Sequence, residues 1–286
     1  MLTVILLATA GLAALYLFCI LPRLPRRSMS ALLGYDYAHR GLWDNRTVPE
    51  NSLPAFRQAA EHGFGIELDV RATADGIPAV FHDDSLERMC GIRRAFAACT
   101  LHELRAARLL DTDEQIPTFA EALQVVHGKV PIIVEIKSGA NLARTCEQVD
   151  SLLQRYPGIA CVQSFDPRAM KWFRKHNPQR IRGQLVFAPF RRHAPGRRLT
   201  SLLLSAMLGN LLSRPDYVAH EIPDSRNPAF RLVRKLGARA AVWPVSSQEQ
   251  MDRLRGRRDL LIFEGFIPAA ADEADSTAGA EPAADD

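Results

Sequence analysis

Short apolar segments alternate with helix-forming segments along most of this chain, and the alternation limits the folds it can adopt. Nine runs have the length and side chains of buried strands, at residues 35–38, 66–70, 78–81, 131–136, 160–163, 183–187, 217–219, 240–243 and 260–263. Helical patterns separate most of them, at residues 52–61, 118–127, 141–155, 167–176, 227–236 and 246–255. Because parallel strands need long crossover connections, the alternation predicts an α/β fold with a parallel sheet.

The alternating segments occupy residues 34–268, close to the roughly 250 residues of one TIM-type (β/α)8 barrel. Nine candidate strands are one too many for eight barrel positions. The connection between Asp69 and Pro78 holds eight residues, too few for a helix, and its Asp75-Gly76 pair is typical of a hairpin turn. A hairpin is expected to put the two strand ends on opposite rims, so we predict a return loop without a helix.

The amino-terminal region contains an uncharged apolar run, residues 2–21, whose only polar side chains are Thr3 and Thr9. As a helix this run reaches ~30 Å, the thickness of the hydrocarbon core of a membrane. A cleaved signal peptide is the alternative, but no basic segment precedes the run and no A-x-A site lies directly before Pro22. We therefore predict an uncleaved transmembrane anchor.

Three arginines, Arg23, Arg26 and Arg27, follow the predicted anchor directly. Positive charge favours the cytoplasmic side, so the remainder of the chain is predicted to be cytoplasmic, in a single-pass protein of the cell membrane. Residues 22–33 have little periodicity and are predicted to form a juxtamembrane linker.

An insert at residues 188–214 interrupts the alternation. Its basic part, residues 191–198, leads into an apolar stretch at residues 199–212. That stretch is too short to cross a bilayer, and it either packs as an outer helix on the barrel, which we favour, or lies in a membrane interface. Residues 269–286 are rich in Asp, Glu and Ala and are predicted to be disordered.

The formal net charge of +4 is too small to indicate nucleic acid as a partner. The last 18 residues carry six acidic and no basic side chains, so the preceding 268 residues carry +10. Five cysteines show neither a CxxC pair nor the spacing of a zinc site, which indicates ordinary thiols.

Acidic residues follow the predicted strands in a pattern that suits a metal ion. Glu67 and Asp69 are two residues apart and point to the same side of one strand, and two buried carboxylates need a proton or a cation. Glu135 from another strand supplies a third carboxylate, and such hard ligands suit Mg²⁺ or Ca²⁺. The alternative is an ion pair with Lys137 or Arg40.

Two histidines, His39 and His82, come at the ends of two different strands. Imidazoles titrate near neutral pH and can act as base and acid in a phosphoryl reaction, although a single histidine is more often a hydrogen-bonded structural residue. Arg40 and Lys137 would balance the charge of a phosphate.

The motifs HRG (39–41), PENS (49–52), ELD (67–69), DG (75–76) and HDD (82–84), followed by EIK (135–137) and QSFD (163–166), closely resemble the glycerophosphodiester phosphodiesterase family. The resemblance is dense from Ala38 to Gly91, continues more loosely to about Asp166 and then fades. It implies a TIM-type barrel that uses a divalent cation to hydrolyse glycerophosphodiesters to sn-glycerol 3-phosphate and an alcohol, within glycerophospholipid metabolism.

The resemblance also implies roles for individual positions, of which the general acid/base pair is His39 and His82. The implied metal ligands are Glu67, Asp69 and Glu135, the phosphate-binding residues are Arg40 and Lys137, and Glu50 has a supporting role beside Arg40 or the metal. The attacking nucleophile is either water or a glycerol hydroxyl that forms a cyclic phosphate.

The chain departs from the family pattern near its end, at positions that the resemblance places on the alcohol side of the pocket. It reads Trp243-Pro244-Val245-Ser246 where the family often has Trp-Thr-Val-Asn, and its last strand ends in Glu264-Gly265 rather than Thr-Asp. Trp243 is expected to form an apolar wall for the substrate or to be an ordinary core residue. Two other functions remain open, a lysophospholipase D type activity on lysolipids and an inactive barrel that binds lipid or scaffolds a partner.

Overall fold

The computed structural model of the chain describes residues 1–186, 198–222, 227–255 and 259–269. The basic start of the insert, residues 191–197, and the acidic tail beyond Ala269 lie outside the described residues.

The strands of the described residues are β1 (Asp36–His39), β2 (Gly65–Ala72), β3 (Pro78–Val80), β4 (Ile132–Ile136), β5 (Ala160–Ser164), β6 (Arg182–Leu185), β7 (Tyr217–Glu221), β8 (Arg239–Val245) and β9 (Leu260–Phe263). The helices that precede β4 are α1 (Leu2–Ile20), α2 (Ser30–Leu33), α3 (Leu53–Glu61), α4 (Glu87–Cys90), α5 (Leu101–Ala106) and α6 (Phe119–Val126). Those that follow are α7 (Leu142–Arg155), α8 (Pro167–His176), α9 (Arg198–Ser205), α10 (Asn210–Ser213), α11 (Pro228–Lys235) and α12 (Gln248–Arg255).

Eight parallel strands close into a barrel in the order β1, β2, β4, β5, β6, β7, β8 and β9, and β9 pairs with β1 to complete the ring. The predicted TIM-type fold is therefore confirmed. The outer faces of the strands pack against the surrounding helices through residues such as Leu68, Val134 and Phe173, which are fully buried. Thr118 starts α6 with a reciprocal capping pair to Glu121, as its sequence position indicates.

The ninth strand corrects one prediction, because β3 pairs antiparallel with β2 and the two form a hairpin rather than a return loop. Val70 lies opposite Val80, and the Phe81 amide donates to the Asp69 carbonyl. Our objection to a hairpin was wrong since β2 continues past the rim of the barrel before it turns. The return strand therefore brings His82 back to the level of Asp69.

A short helix closes the amino-terminal end of the barrel. Leu32 of α2 is fully buried and packs with Tyr37 inside the barrel, and the Tyr37 hydroxyl donates to the Leu32 carbonyl at 2.7 Å. Part of the predicted linker is thus packed against the domain. Inside the barrel, Gly183 of β6 packs against the ring of Tyr217. A Cβ at this position would overlap that ring.

The helix α1 is long and apolar enough to cross a membrane by length and composition. Ile20 at its end is its one buried residue, and it packs against the domain with Met207 and Phe230. The described part of the apolar insert stretch has both buried and exposed side chains. Met207 is buried, but Leu199 and Leu202 are 68% and 58% exposed.

Candidate active site

The carboxyl ends of β1, β2 and β4 bring four predicted site residues to one rim. His39 of β1 lies opposite Glu67 of β2 in the parallel register, and Asp69 of β2 lies opposite Glu135 of β4. All four point into the barrel, because the alternate residues of β2 and β4 contribute to the outer core. The His39 Nε2 atom is 4.0 Å from Glu67 Oε2.

The three carboxylates of Glu67, Asp69 and Glu135 form a buried acidic cluster, with ligand oxygens within 4.8 Å of one another. Burial and the neighbouring charges of Asp69 and Glu135 raise the pKa of Glu67 well above its usual value. Burial also disfavours ionised Asp69, but the charges of Lys137, His82 and Arg40 lower its pKa overall. Asp69 therefore ionises more readily than Glu67 within the cluster.

Lysine and arginine side chains lie directly against the acidic cluster. Lys137 Nζ is 2.7 Å from Asp69 Oδ1 and 2.5 Å from Glu135 Oε1, and Arg40 Nε is 3.5 Å from Asp69 Oδ2. The ion pairs considered as the alternative to a metal site are thus present. They leave Glu67 without a cationic partner within ion-pair distance among the described lysines and arginines.

The chemistry of the acidic cluster fits a divalent cation. Oε1 of Glu67 accepts a hydrogen bond from Gln163 Nε2 at 3.3 Å, whereas Oε2 is buried and has no hydrogen-bond partner in the described part of the chain. An orphaned carboxylate oxygen among two further carboxylates is costly to bury. A cation with oxygen ligands would remove that cost, and Mg²⁺ and Ca²⁺ both take such ligands.

Glu264 holds His39 from the other side of its ring. The His39 Nδ1 and Glu264 Oε2 atoms are 2.5 Å apart, and Glu264 directly follows β9, the strand that pairs with β1. The hydrogen bond to His39 lowers the pKa of Glu264. A carboxylate at Nδ1 favours the tautomer with a proton there, which leaves Nε2 facing the acidic cluster.

His82, which follows β3, has a similar carboxylate partner. Its Nδ1 atom is 2.6 Å from Asp83 Oδ1, and Arg88 Nε donates to Asp83 Oδ2 at 2.6 Å. The other nitrogens of Arg88 reach Glu50, at 2.7 and 3.0 Å. Burial opposes ionisation of Asp83, but its bonds to His82 and Arg88 lower its pKa overall.

Glu50 links Arg40 to Arg88, which in turn binds Asp83 beside His82. It accepts a hydrogen bond from Arg40 Nη1 at 2.7 Å as well as those from Arg88. Burial disfavours the charged form, yet these arginines lower the pKa of Glu50 to about 2. Arg40 and Asn51 both have positive φ angles, of 61° and 56°, a strained backbone that is common at functional sites.

Two cavities lie beside these residues. A polar cavity of about 640 Å³ is lined by His82, Lys137 and Arg71 among others. A second cavity of about 310 Å³ is lined by apolar side chains such as Leu42 and Phe266 and by polar ones such as Asp44, and it has Glu264 in its wall. Its lining includes neither His82 nor Lys137.

Trp243 lies beside His39, with the ring centroids 6.4 Å apart, and packs edge-on against Phe165. Its indole nitrogen is buried without a hydrogen-bond partner among the described residues. The indole therefore forms part of the inner wall near the acidic cluster.

Several residues at the rim have no role in the sequence prediction. Glu264 was noted only as a departure near the alcohol, and it contacts His39. Asn51, a member of the PENS motif, donates to Asp69 Oδ2 at 2.8 Å, and Gln163, from the QSFD segment, donates to Glu67. Both belong to quoted motifs, so motif membership was the available signal. Arg88 follows HDD by four residues and carries no such signal.

The model of the glycerophosphoryl diester phosphodiesterase family matches residues 39–258, which include every predicted site residue. The chain belongs to the glycerophosphoryl diester phosphodiesterase family. The match extends well beyond the dense motif region, through β8, and ends just before β9.

Named members of the glycerophosphoryl diester phosphodiesterase family align with about half of the chain. Glycerophosphodiester phosphodiesterase 1 of Homo sapiens is 32% identical over 159 residues, which is 51% of this chain and 45% of that protein. A glycerophosphodiester phosphodiesterase of Caldanaerobacter subterraneus is 38% identical over 133 residues, 43% of this chain and 47% of that protein. The chain therefore spans about half the length of the curated relatives it matches.

Solved structures share the barrel. An Oleispira antarctica phosphodiesterase, solved in complex with the product sn-glycerol-3-phosphate, superposes with a TM-score of 0.65 at 21% identity, covering 80% of this chain and 92% of that one. A glycerophosphodiester phosphodiesterase from Thermotoga maritima gives 0.59 at 24% identity, covering 80% and 94%. At these identities the likeness establishes the fold.

Proposed function

We propose that the chain hydrolyses glycerophosphodiesters to sn-glycerol 3-phosphate and an alcohol, within glycerophospholipid metabolism. The observation that carries the proposal is the buried acidic cluster beside His39, which is itself bound by Glu264. The named family members support it, as does the sn-glycerol-3-phosphate held by a protein of the same fold.

The carboxylates of Glu67, Asp69 and Glu135 would hold one divalent cation, Mg²⁺ or Ca²⁺. When bound, the cation neutralises charge that develops on the phosphoryl oxygens. Arg40 and Lys137 add a guanidinium and an ammonium group at the same rim, and they would bind the phosphate oxygens of the substrate. Glu50 fixes the direction of Arg40 through their 2.7 Å hydrogen bond.

The two histidines would move protons on opposite sides of the phosphorus, one at the attacking oxygen and one at the leaving oxygen. With a carboxylate on each Nδ1, both rings are expected to present Nε2 to the substrate. One neutral Nε2 takes the proton of the attacking hydroxyl or water, and one protonated Nε2 gives a proton to the departing alcohol oxygen. Trp243 would form an apolar wall beside His39.

A lysophospholipase D type activity is the second candidate. The cavity beside Glu264 could accept an acyl chain along its apolar side chains, which include Leu42, Val48 and Phe266. On this alternative the rate rises with acyl-chain length, and choline is released from lysophosphatidylcholine without glycerol 3-phosphate.

The helix α1 is proposed to anchor the chain in the cell membrane, with the barrel in the cytoplasm. Its length, its apolar composition and the arginines that follow it support this topology. A reporter fused to the carboxyl terminus should be active in the cytoplasm, and a reporter active only outside it would reverse the orientation.

The direct test uses the full chain in neutral detergent, first treated with a chelator and then resupplied with Mg²⁺ or Ca²⁺. Release of sn-glycerol 3-phosphate is measured from glycerophosphocholine, glycerophosphoglycerol and lysophosphatidylcholine. We expect metal-dependent release that His39→Ala and His82→Ala abolish and that His102→Ala, at an exposed histidine of α5, leaves intact. If no product is released from any of the three substrates and no metal is bound, the result would support an inactive lipid-binding or scaffolding barrel.

A further inference from the structure

A cavity rich in arginine lies where the segment after α1 meets the amino-terminal ends of β7 and β8. Its volume is about 320 Å³. Its charged lining residues are Arg23, Arg26, Arg27, Arg234, Arg239 and Asp216. It is remote from the acidic cluster, because it lies at the opposite ends of the barrel strands.

The arginines of this cavity outnumber the carboxylates that pair with them. Arg23 Nη1 is 3.2 Å from Asp216 Oδ2, and Arg234 Nη1 is 2.5 Å from Asp259 Oδ1. In the described part of the chain, Arg23 and Arg234 each pair with a carboxylate, whereas Arg26 and Arg27 have no carboxylate within ion-pair distance, which leaves two positive charges in excess.

The positive charges of this cavity also affect Arg182, a neighbouring buried arginine. Burial lowers the pKa of Arg182 to about 10; Asp216 opposes the shift, while the positive charges of Arg23 and Arg27 add to it. Arg182 is 2% exposed, and its Nη1 atom has no hydrogen-bond partner in the described part of the chain. The region would therefore be stabilised by an additional anion.

The end of α1 is fixed to the domain beside this cavity. The Asn210 side chain donates to the Ile20 carbonyl at 3.0 Å, and Arg214 Nη1 donates to the carbonyls of Phe18 and Leu21 at 2.7 and 3.0 Å. The Arg23 amide then donates to the Pro215 carbonyl at 3.0 Å. The cavity is consequently held at the level where an apolar span gives way to polar headgroups.

We propose that the arginine cavity binds the phosphate group of an anionic phospholipid in the leaflet next to the barrel. Guanidinium groups recognise phosphate oxygens through paired hydrogen bonds, and basic residues next to a span attract anionic lipids. The proposal rests on the membrane anchoring by α1 and is independent of the hydrolytic activity. A free phosphate or phosphomonoester shares the same chemistry, so the test includes both sources.

Gly237 offers a variant that changes the cavity without removing a charge. The Arg26 guanidinium lies against its Cα, where a Cβ would overlap it, and Arg26 Nη2 donates to the Leu236 carbonyl at 3.1 Å. Gly237→Ala therefore displaces Arg26, with an added backbone cost because φ is +101°. Arg26→Gln with Arg27→Gln removes two exposed charges and leaves the Arg23 ion pair intact.

The experiment measures lipid binding by the full chain in neutral detergent containing a chelator. Short-chain phosphatidylserine is titrated by calorimetry, with short-chain phosphatidylcholine, inorganic phosphate and sn-glycerol 3-phosphate as separate probes. We expect phosphatidylserine to bind in preference to phosphatidylcholine, and the double glutamine variant to weaken it roughly 10- to 30-fold. Gly237→Ala should weaken it too, and Arg57→Gln with Arg253→Gln, at exposed arginines elsewhere, should not.

Three results would overturn the proposal. Equal loss in the Arg57 and Arg253 control would assign binding to the general positive charge, and equal affinity for inorganic phosphate or sn-glycerol 3-phosphate would assign the cavity to a soluble phosphate. Unchanged affinity in both cavity variants would remove the cavity from lipid binding. Resistance of the full chain to carbonate extraction measures anchoring separately, and glycerophosphodiester hydrolysis by the cavity variants, expected to be unchanged, measures the proposed activity separately.

Discussion

Both proposed catalytic histidines bind a carboxylate through Nδ1, but their partners differ in surroundings. Asp83 is bonded to Arg88 as well as to His82, so its charge is shared. Glu264 has His39 as its hydrogen-bonded partner, and its side chain is 32% exposed. The orientation of His39 therefore depends on one contact between β1 and the residue that follows β9.

Replacing Glu264 should slow the reaction more than it weakens substrate binding. Glu264→Gln removes the negative charge that favours the Nδ1–H tautomer of His39, and we expect kcat to fall about 10- to 100-fold with a smaller change in KM. Steady-state kinetics on glycerophosphocholine would measure both. Glu249→Gln, at an exposed glutamate of α12, is the matched control, and an unchanged kcat in the Glu264 variant would remove Glu264 from a positioning role.

Removing one carboxylate from the acidic cluster should reduce the stabilisation by a bound cation without reducing the stability of the metal-free chain. Because burial and its acidic neighbours raise the pKa of Glu67, Glu67→Gln is expected to keep or increase the free energy of unfolding in a chelator. A cation at 100 times its Kd should add about 2.7 kcal/mol to the unmodified chain and much less to the variant. Denaturant unfolding with and without Mg²⁺ or Ca²⁺ measures this, and an equal gain in both proteins would place the cation elsewhere.

The sequence predicts those parts of the site whose residues belong to short local motifs. HRG, ELD and EIK each combine a strand end with polar side chains, so parallel strands alone bring His39, Glu67 and Glu135 to one rim. Glu264 is 225 residues from His39, and its role depends on the closure of the barrel between β9 and β1. No local pattern carries that information.

At the scale of elements, the β2–β3 hairpin decides whether His82 reaches the site. Its turn contains Gly76, with φ of +84°, and a Cβ there would meet the side chain of Arg144 at an ordinary distance of 3.4 Å. The glycine is therefore needed for its backbone conformation more than for space.

Gly76→Ala should lower the free energy of unfolding by about 1 kcal/mol, because alanine is strained at positive φ. Thermal unfolding measures the loss, and hydrolysis should fall as well since the hairpin carries His82. The matched control is Gly139→Ala, at a glycine with open space around it and no positive φ. Equal stability of the two variants would contradict the argument.

The packing of β7 against α11 should make stability depend on pH. Burial lowers the pKa of His220 from 6.5 to about 4, Arg234 adds to the shift, and the bond from Nδ1 to the Glu221 carbonyl opposes it. The folded chain thus resists protonation that the unfolded chain accepts. This contribution, about 3 kcal/mol, is complete above pH 6.5 and is lost as the pH falls towards 4.

His220→Gln should therefore flatten the decrease in unfolding free energy between pH 7 and 4. Glutamine keeps a donor but does not titrate. Chemical denaturation at several pH values tests this, with His176→Gln at an exposed histidine of α8 as the control. A pH dependence as steep as that of the unmodified chain would show that His220 is not responsible.

The hairpin also shows why periodicity alone misassigned one element. An Asp-Gly pair and a short connection indicated a turn, but the length of β2 beyond the rim cannot be read from its apolar residues, which end at Val70. Pairing with β3 extends β2 to Ala72, so tertiary contacts set its end. The long helices were predicted to within one or two residues because their apolar faces repeat regularly.

At the scale of the whole molecule, α2, which ends the predicted linker, is part of the folded domain. Leu32→Ala should lower the free energy of unfolding by roughly 2–5 kcal/mol, since the side chain is fully buried at the base of the barrel. Leu24→Ala, at a leucine 64% exposed, should change it little. Denaturant unfolding compares the two, and similar losses would mean that α2 does not close the barrel.

The attachment of α1 to the domain lies at the amino-terminal ends of the barrel strands, and the acidic cluster lies at their carboxyl-terminal ends. If α1 crosses a bilayer as proposed, that bilayer would adjoin the closed base, and the open rim would face water. With the proposed activity, the chain would diffuse only within the plane of the membrane, while its soluble substrates would diffuse through the surrounding water. Molecules already dissolved, such as the headgroup esters left when phospholipids lose both acyl chains, then reach the rim by free diffusion, whereas a lipid still embedded in the bilayer must first leave it.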